Sequence, residues 1–268
     1  MLRATFQHLP GFGPGAEVEL WRNGVRDWTE LLSAPTTRSL PDGSRARVER
    51  EVAASERALS DRDVAWFGRR LPEREHWRLY PEFERETSYL DIETTGLSPY
   101  GGIVTVASVY ARGETRTFLA GEDLEELPAY LGQFPVLVTF NGSRFDVPFL
   151  RAVFPAMAAP PVHIDLRFLL YRLGISGGLK RIESTLGLGD RSGVEGIDGL
   201  QAVRLWQEYR RGNRSALETL VRYNRADTTN LEPLLRLSVD RLSSRLLRAD
   251  GAGGAAAAAV GTASRAGV

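Results

Sequence analysis

Between Ser88 and Leu119 the chain alternates short β-branched or apolar runs with turn signals. Ser88–Glu93, Ile103–Tyr110 and Thr115–Leu119, the last two parted by Arg112-Gly113, predict three strands in an antiparallel meander. Glu122–Leu131 predicts a helix that stops at Gly132. Pro135–Phe140 is a short apolar run typical of a buried strand, and Val162–Ile164 predicts another. Helical periodicity then takes over in Arg167–Leu173, Leu179–Leu186, Gly199–Arg211 and Ser215–Leu237, the last opened by a capping-box pattern, Ser215-Ala-Leu-Glu218. The order β-β-β-α-β-α-β followed by helices implies an α/β fold: a mixed five-stranded sheet flanked by helices.

The flanks differ. Residues 1–86 read as a small helical domain, with Arg45–Ser60 as a helix and a shorter one in Asp61–Arg70. Pro35, Pro41 to Gly43 and Pro72 punctuate it. Its closing aromatics, Trp66, Phe67, Trp77, Tyr80 and Phe83, are expected to dock it onto the next domain. Residues 251–268 are Gly- and Ala-rich with almost no charge, and predict a disordered tail; the Ala run could be helical, but it has no amphipathic face. The division expected is 1–86, 87–250 and 251–268.

Composition narrows the classes without choosing one. The 268 residues suffice for one large or two modest domains, and 43% hydrophobic with 25% charged residues is ordinary for a soluble globular chain. No apolar run is long enough to span a bilayer, and Met1–Pro10 lacks the apolar block of a signal peptide, so the cytoplasm is the simplest location. The chain has no cysteine, which excludes disulfides and thiolate metal sites. His8, His76 and His163 show no metal-ligand spacing, which argues against zinc. The formal net charge of +0 gives no support for nucleic-acid binding, so any such function must come from motifs. Lys180 is the only lysine; every other basic residue is arginine.

Three acid motifs supply the candidate chemistry. Asp91 and Glu93, at i and i+2 of a strand, present both carboxylates to one face and need a positive partner. Alone, Asp-x-Glu is commonly a solvated strand rim. Asp146 follows the buried strand and, taken singly, is better read as a helix N-cap. Asp227 is the most telling. The stripe Leu217, Leu220, Val221, Leu231, Leu234 and Leu235 has a gap that Asn224, Asp227 and Thr228 fill, so Asp227 points inward. Tyr223, one turn earlier, reaches the same space. A buried ion pair would explain Asp227 alone, but one site binding hard cations explains every acid at once.

The residues carry a family likeness. Tyr89-Leu-Asp-Ile-Glu-Thr-Thr-Gly-Leu97 resembles the first motif of the DEDD, or DnaQ-like, 3′→5′ exonucleases. Thr139-Phe-Asn-Gly-Ser-Arg-Phe-Asp146 is similar to the second, and Tyr223-x-x-x-Asp227 to the third in its tyrosine form. Position 222 is arginine, so the histidine form, with His five residues before the last Asp, is not met. The likeness covers about residues 86–240 and is greatest to the YprB-type ribonuclease-H-like branch. It implies an RNase H-like fold and phosphodiester hydrolysis with two divalent cations, Mg²⁺ or Mn²⁺. It assigns Asp91, Glu93, Asp146 and Asp227 as ligands and Tyr223 as the group that orients the attacking water.

The resemblance also suggests substrate contacts. Thr94, Thr95, Gly96 and Leu97 would hold the terminal nucleotide, or form a plain turn with Gly96 at an unusual backbone angle. Asn141 and Phe145, near Asp146, would meet sugar or base, although Phe145 suits the core better. Lys180, at a helix start, would be rationalised by a phosphate, or lie in solvent. Asp165 reads as an N-cap rather than a fifth ligand. Leu9-Pro-Gly11-Phe-Gly13-Pro14 resembles the hairpin of a helix-hairpin-helix element, which grips a nucleic-acid backbone or merely packs. The expected activity is removal of nucleotides from single-stranded ends, with DNA favoured. The alternatives are a ribonuclease or endonuclease with the same metals, or a non-catalytic nucleic-acid-binding module.

Overall fold

Five strands form where the alternating runs predict them: β1 (Thr87–Thr94), β2 (Val104–Ala111), β3 (Glu114–Leu119), β4 (Val136–Thr139) and β5 (Val162–Asp165). The computed structural model describes residues 1–33 and 45–258, with side chains up to residue 246. The turn signals at Pro35 and Pro41 to Gly43, and residues 259–268 of the expected tail, lie outside the described residues. The sheet order is β3-β2-β1-β4-β5. The hairpins β1–β2 and β2–β3 are antiparallel, whereas β4 runs parallel to both β1 and β5. The C-terminal ends of β1, β4 and β5 therefore share one sheet edge, the place where open α/β sheets commonly put their ligands.

Alternation along β1 splits the interior in two. Leu90 and Ile92 join Val104, Ala107, Val109, Phe118 and Leu137 in one core, closed by Leu127 of α5 (Leu127–Leu131) and by Phe149 and Leu150 of α6 (Asp146–Val153). Behind the sheet, Val106 packs with Ala202 and Trp206 of α9 (Gly199–Arg210) and with Leu220 and Tyr223 of α10 (Arg214–Thr229). Asp91 and Glu93 alternate on β1 with the inward-facing Leu90 and Ile92, so pleating turns them toward the α10 side.

The helices differ from expectation in four respects. The segment expected as Glu122–Leu131 is a 3-10 turn, Leu124–Glu126, followed by the short α5, because Pro128 can sit only in the first turn of a helix. The single helix expected over Ser215–Leu237 is two: α10 ends at Thr229, and α11 (Leu231–Ala258) begins with Pro233 in its first turn. No capping box forms at Ser215, whose hydroxyl donates to Asn213 Oδ1 instead; the box belongs to Asp198 and Gln201, at the start of α9. Residues 251–258 continue α11 rather than forming an unstructured tail.

The described chain divides into two compact units, Phe83–Ser238 and Met1–Glu82 with the stretch from Val239 onward. The sheet unit thus ends at Ser238 rather than near residue 250. Within the other unit, Arg78 is buried between Glu17 and Glu75, each at 2.7 Å. Trp28, Trp66, Phe67 and His8 form a ring cluster there, so Trp66 and Phe67, expected to dock onto the next domain, pack inside their own.

One glycine governs how the chain passes from β4 to the helix that bears Asp146. A Cβ on Gly142 would stand 2.3 Å from Thr139 Oγ1, which is bonded to His163 Nε2 at 2.9 Å. Neither partner can swing away cheaply. Gly142→Ala is expected to destabilise the fold by about 1–3 kcal/mol through overpacking. Thermal unfolding measures this, and an unchanged midpoint would contradict the close approach.

Candidate active site

The acids meet where β1 ends beneath α10. Asp91 pairs with Ser108 and Glu93 with Val106 across the β1–β2 ladder, and the register shifts between Glu93 and Thr94. Thr105 is the extra residue at that irregularity, and its hydroxyl donates to the Glu93 carbonyl at 3.0 Å. Such a bulge re-aims the strand end. One oxygen each from Asp91, Glu93 and Asp227 lies within 4.8 Å of the others. Asn224, one turn before Asp227 on α10, donates to Asp91 Oδ2 at 2.7 Å and to the Asp91 carbonyl at 3.1 Å. Asp146 is not one of this close trio. It is buried at the first position of α6, and its Oδ1 accepts the Ile92 N–H at 3.2 Å.

Crowding of like charge shows in the protonation of the site. Burial, reinforced by the charges of Asp227, Asp146 and Glu93, holds the Asp91 carboxyl well above the usual range, with the Asn224 hydrogen bond opposing. Burial and then the Asp227 charge push Glu93 up to about 8. Asp146 is pushed up to about 7 by burial, against its backbone N–H partners. Tyr223 is raised by burial and by Asp227, Glu93 and Asp91, so its hydroxyl keeps its proton at neutral pH. Lys180 donates to that hydroxyl at 2.8 Å and lies 4.3 Å from the ring centroid. It also donates to the Ile197 carbonyl. Lys180 thus meets the site through Tyr223 rather than standing in solvent.

The other predicted contacts have local partners. Thr94 Oγ1 donates to the Gly96 carbonyl at 2.7 Å, and Thr95 Oγ1 accepts the Ile103 N–H at 3.0 Å. Gly96 has no positive φ, so the unusual backbone angle expected there is absent; Asn141 is left-handed instead, at φ 64°. Leu97 is 90% exposed. Phe145 is half-buried against Phe149, with ring centroids 5.7 Å apart. Asp165 caps α7 (Leu166–Arg172) by accepting from Arg167 N–H, and so is no member of the trio. In the other unit, Gly11 has φ 94° and Gly13 is the N-cap of α1 (Pro14–Arg22).

Three site residues escaped the sequence reading. Arg191 pairs with both Asp227 and Glu183. Glu183, on α8 (Leu179–Leu186), is a further buried acid with one oxygen lacking a partner, as does Nη2 of Arg191. In an arginine-rich chain, an arginine in a Gly-rich loop carries no signal. Glu183 could have been noticed as an acid beside Ile182 on the apolar side of its helix. Asn224 was placed inward, but its hydrogen bonds to Asp91 were not foreseen.

The family model of the RNase H superfamily matches residues 88–239, more than half of the chain. The chain belongs to the RNase H superfamily. The superfamily match spans all five acids and polar residues of the candidate site: Asp91, Glu93, Asp146, Tyr223 and Asp227. No curated protein sequence matches the chain. Among solved structures, it resembles the family B DNA polymerase of the archaeon Pyrobaculum calidifontis, at 18% identity and a TM-score of 0.47, over 57% of this chain and 25% of the polymerase. This RNase H superfamily chain therefore spans a quarter of that protein's length. It also resembles Brucella melitensis NrnC with bound Mg²⁺ (18%, TM-score 0.40, 63% and 82% of the two chains). A third likeness is to the Aedes aegypti Nibbler EXO domain (11%, TM-score 0.42, 66% and 91%).

The donor set suits a hard divalent cation: oxygen ligands only, three carboxylates converging, and protons retained where no cation offsets their charge. Two predictions follow from that charge balance. Between Glu93's ordinary 4.5 and about 8 the folded chain holds protons that the unfolded chain releases. Metal-free stability must then fall as pH rises through that window, and added Mg²⁺ or Mn²⁺ must recover it at the alkaline end. Melting in chelator and in Mg²⁺ from pH 5 to 8 reads this; a metal-free midpoint that rises with pH would contradict it. Arg191→Gln removes the counter-charge of Asp227, at a cost on the order of 3 kcal/mol. The divalent ion should restore more stability to this variant than to the wild type; equal gains would refute that role for Arg191.

Proposed function

We propose that the protein is a divalent-metal-dependent nuclease, specifically a 3′→5′ exonuclease that shortens single-stranded nucleic acid, with DNA favoured. The observation that carries this reading is the convergence of Asp91, Glu93 and Asp227, with Tyr223 beside them and Asp146 buried at the same strand. Polarity and the preference for DNA rest on the likeness of the three motifs to the DEDD exonucleases in their tyrosine form.

In this reading Asp91, Glu93, Asp146 and Asp227 hold two divalent cations, Mg²⁺ or Mn²⁺. Bound there, the cations supply an activated water and stabilise the charge of the leaving oxygen. Tyr223 stays protonated, so it orients the water by hydrogen bonding and does not serve as a base. Lys180 fixes the tyrosine hydroxyl by donating to it. Leu97, Thr94 and Thr95 border the terminal nucleotide, and Asn141 and Phe145 border the sugar and base before it. Gly11 and Gly13 offer a further backbone contact in the N-terminal unit.

Purified protein with Mg²⁺ or Mn²⁺ is expected to shorten end-labelled single strands stepwise from the 3′ end and to leave circular DNA intact. Asp91→Ala abolishes the activity. Cutting of circles would replace the exonuclease by an endonuclease, and absence of cleavage of DNA and RNA with either metal would sink the nuclease reading. Tyr223→Phe should slow turnover by roughly 10²-fold while metal affinity, read by calorimetry, stays unchanged. A matching loss of metal affinity would make Tyr223 a structural support of the ligands.

A further inference from the structure

Among the described residues, exposed large apolar side chains gather on one sheet edge. Leu97, Tyr100 and Ile103 lie in the β1–β2 connection, and Phe168 and Tyr171 lie on α7, directly after β5. Both segments border the edge where β1, β4 and β5 end. The β1 side adjoins the acids themselves. The α7 side has no part in the site so far, yet β5 is separated from β1 only by β4, about 10 Å away.

The face of α7 has a defined composition. Leu166, Leu169 and Leu170 are buried, which turns Arg167, Phe168, Tyr171 and Arg172 outward. Phe168 is 44% exposed and Tyr171 72%. The Arg144 guanidinium lies over the Phe168 ring, 5.2 Å from its centroid. Arg167 Nη1 donates to Asn141 Oδ1 at 2.7 Å. The loop that carries Asn141 and Arg144 is pinned in turn: Asp165 accepts from Asn141 N–H at 2.8 Å, Ser143 N–H at 3.1 Å and Ser143 Oγ at 2.6 Å. Aromatic rings and arginines are thereby held in place from within the loop that leads into Asp146. Such preorganisation lowers the ordering cost of binding.

We propose that the outward face of α7, with Arg144 across it, is the cradle for single-stranded nucleic acid upstream of the end held at the acids. Bases stack on Phe168 and Tyr171, while Arg144 and Arg167 meet phosphates. Stacking platforms flanked by cations bind single strands without reading sequence. Charge complementarity and continuity with the acid edge select this occupant over a purely apolar partner. The inference rests on the exonuclease reading and adds to it a second binding surface.

The test is fluorescence anisotropy of a 5′-labelled oligothymidylate in chelator, where binding is read without cleavage. The double variant Phe168→Ala, Tyr171→Ala should weaken affinity roughly 10- to 100-fold, and Arg144→Ala should weaken it and flatten its salt dependence. Phe168→Trp, which keeps an aromatic face, should retain affinity. Leu200→Ala, which removes an exposed apolar side chain on α9, should have no effect. Melting curves confirm that each variant is folded; Phe168→Leu with Tyr171→Leu keeps the bulk and repeats the test should the alanines fail to fold. Unchanged affinity in the aromatic variants, while the wild type cleaves, overturns the cradle and leaves the exonuclease. Aromatic-dependent binding with no cleavage in Mg²⁺ or Mn²⁺ supports the cradle and overturns the exonuclease. A wild type that binds no strand overturns the cradle, and so does a variant that loses self-association instead of strand affinity.

Discussion

Several carboxylates forced together at the end of the central strand set the terms for everything around them. Water cannot solvate them fully there, and each raises the proton affinity of the next. Without a cation the chain answers in three ways. It keeps protons on the most crowded acids. It sets the Asn224 amide against Asp91. It brings Arg191 to Asp227, with buried Glu183 balancing the arginine. These devices share one property: each consists of protons or side chains, none of the backbone itself. Protons leave, and a loop arginine can swing aside.

The fold supplies this crowding through strand parity. Successive residues of β1 serve opposite faces, so Leu90 and Ile92 complete one core while Asp91 and Glu93 look toward α10. The apolar half of the alternation is thus the anchor of the polar half. A slip of one residue would bury the acids beneath α5 and α6 and turn Leu90 and Ile92 toward the polar side chains of α10, which is why the register is so strongly specified. α10 completes the arrangement because Tyr223, Asn224 and Asp227 share its inner side with Leu220. The Tyr223 ring packs in the core while its hydroxyl reaches the charged centre. One side chain serves both environments, as amphipathic rings can.

Strand existence and order were legible because alternation is a local signal. The inward turn of Asp227 was legible for the same reason: its stripe repeats within one helix. What stayed hidden depends on tertiary neighbours. The break at Asn230 is the exception: Pro233, which suits only a helix's first turn, marks it locally, although the apolar periodicity runs on through it. The boundary near residue 250 was drawn from composition, but α11 keeps its helical backbone past it. Arg191 lies in a loop whose course no pattern predicts. Its role exists only because Glu183 and Asp227, far apart in sequence, come within reach of one guanidinium. Lys180 was conspicuous by its rarity, yet its partner Tyr223 lies on another helix, so sequence could mark the residue and not the contact.

The neutral net charge, which argued against a nucleic-acid substrate, takes on a different meaning once the charges are placed. A uniformly basic surface would hold strands anywhere along their length. Here two arginines beside the acid edge are tied to specific partners: Arg144 to a ring and Arg167 to Asn141. Without divalent ions the site holds protons and the Arg191 counter-charge and offers phosphate little; loaded with them, it attracts phosphate. On the exonuclease reading, a strand is held through its upstream bases on α7 and is gripped most tightly where its end also meets the metal-loaded centre. Weak attraction elsewhere favours ends over strand interiors. Zero net charge thus fits an enzyme that acts on termini better than one that coats its substrate.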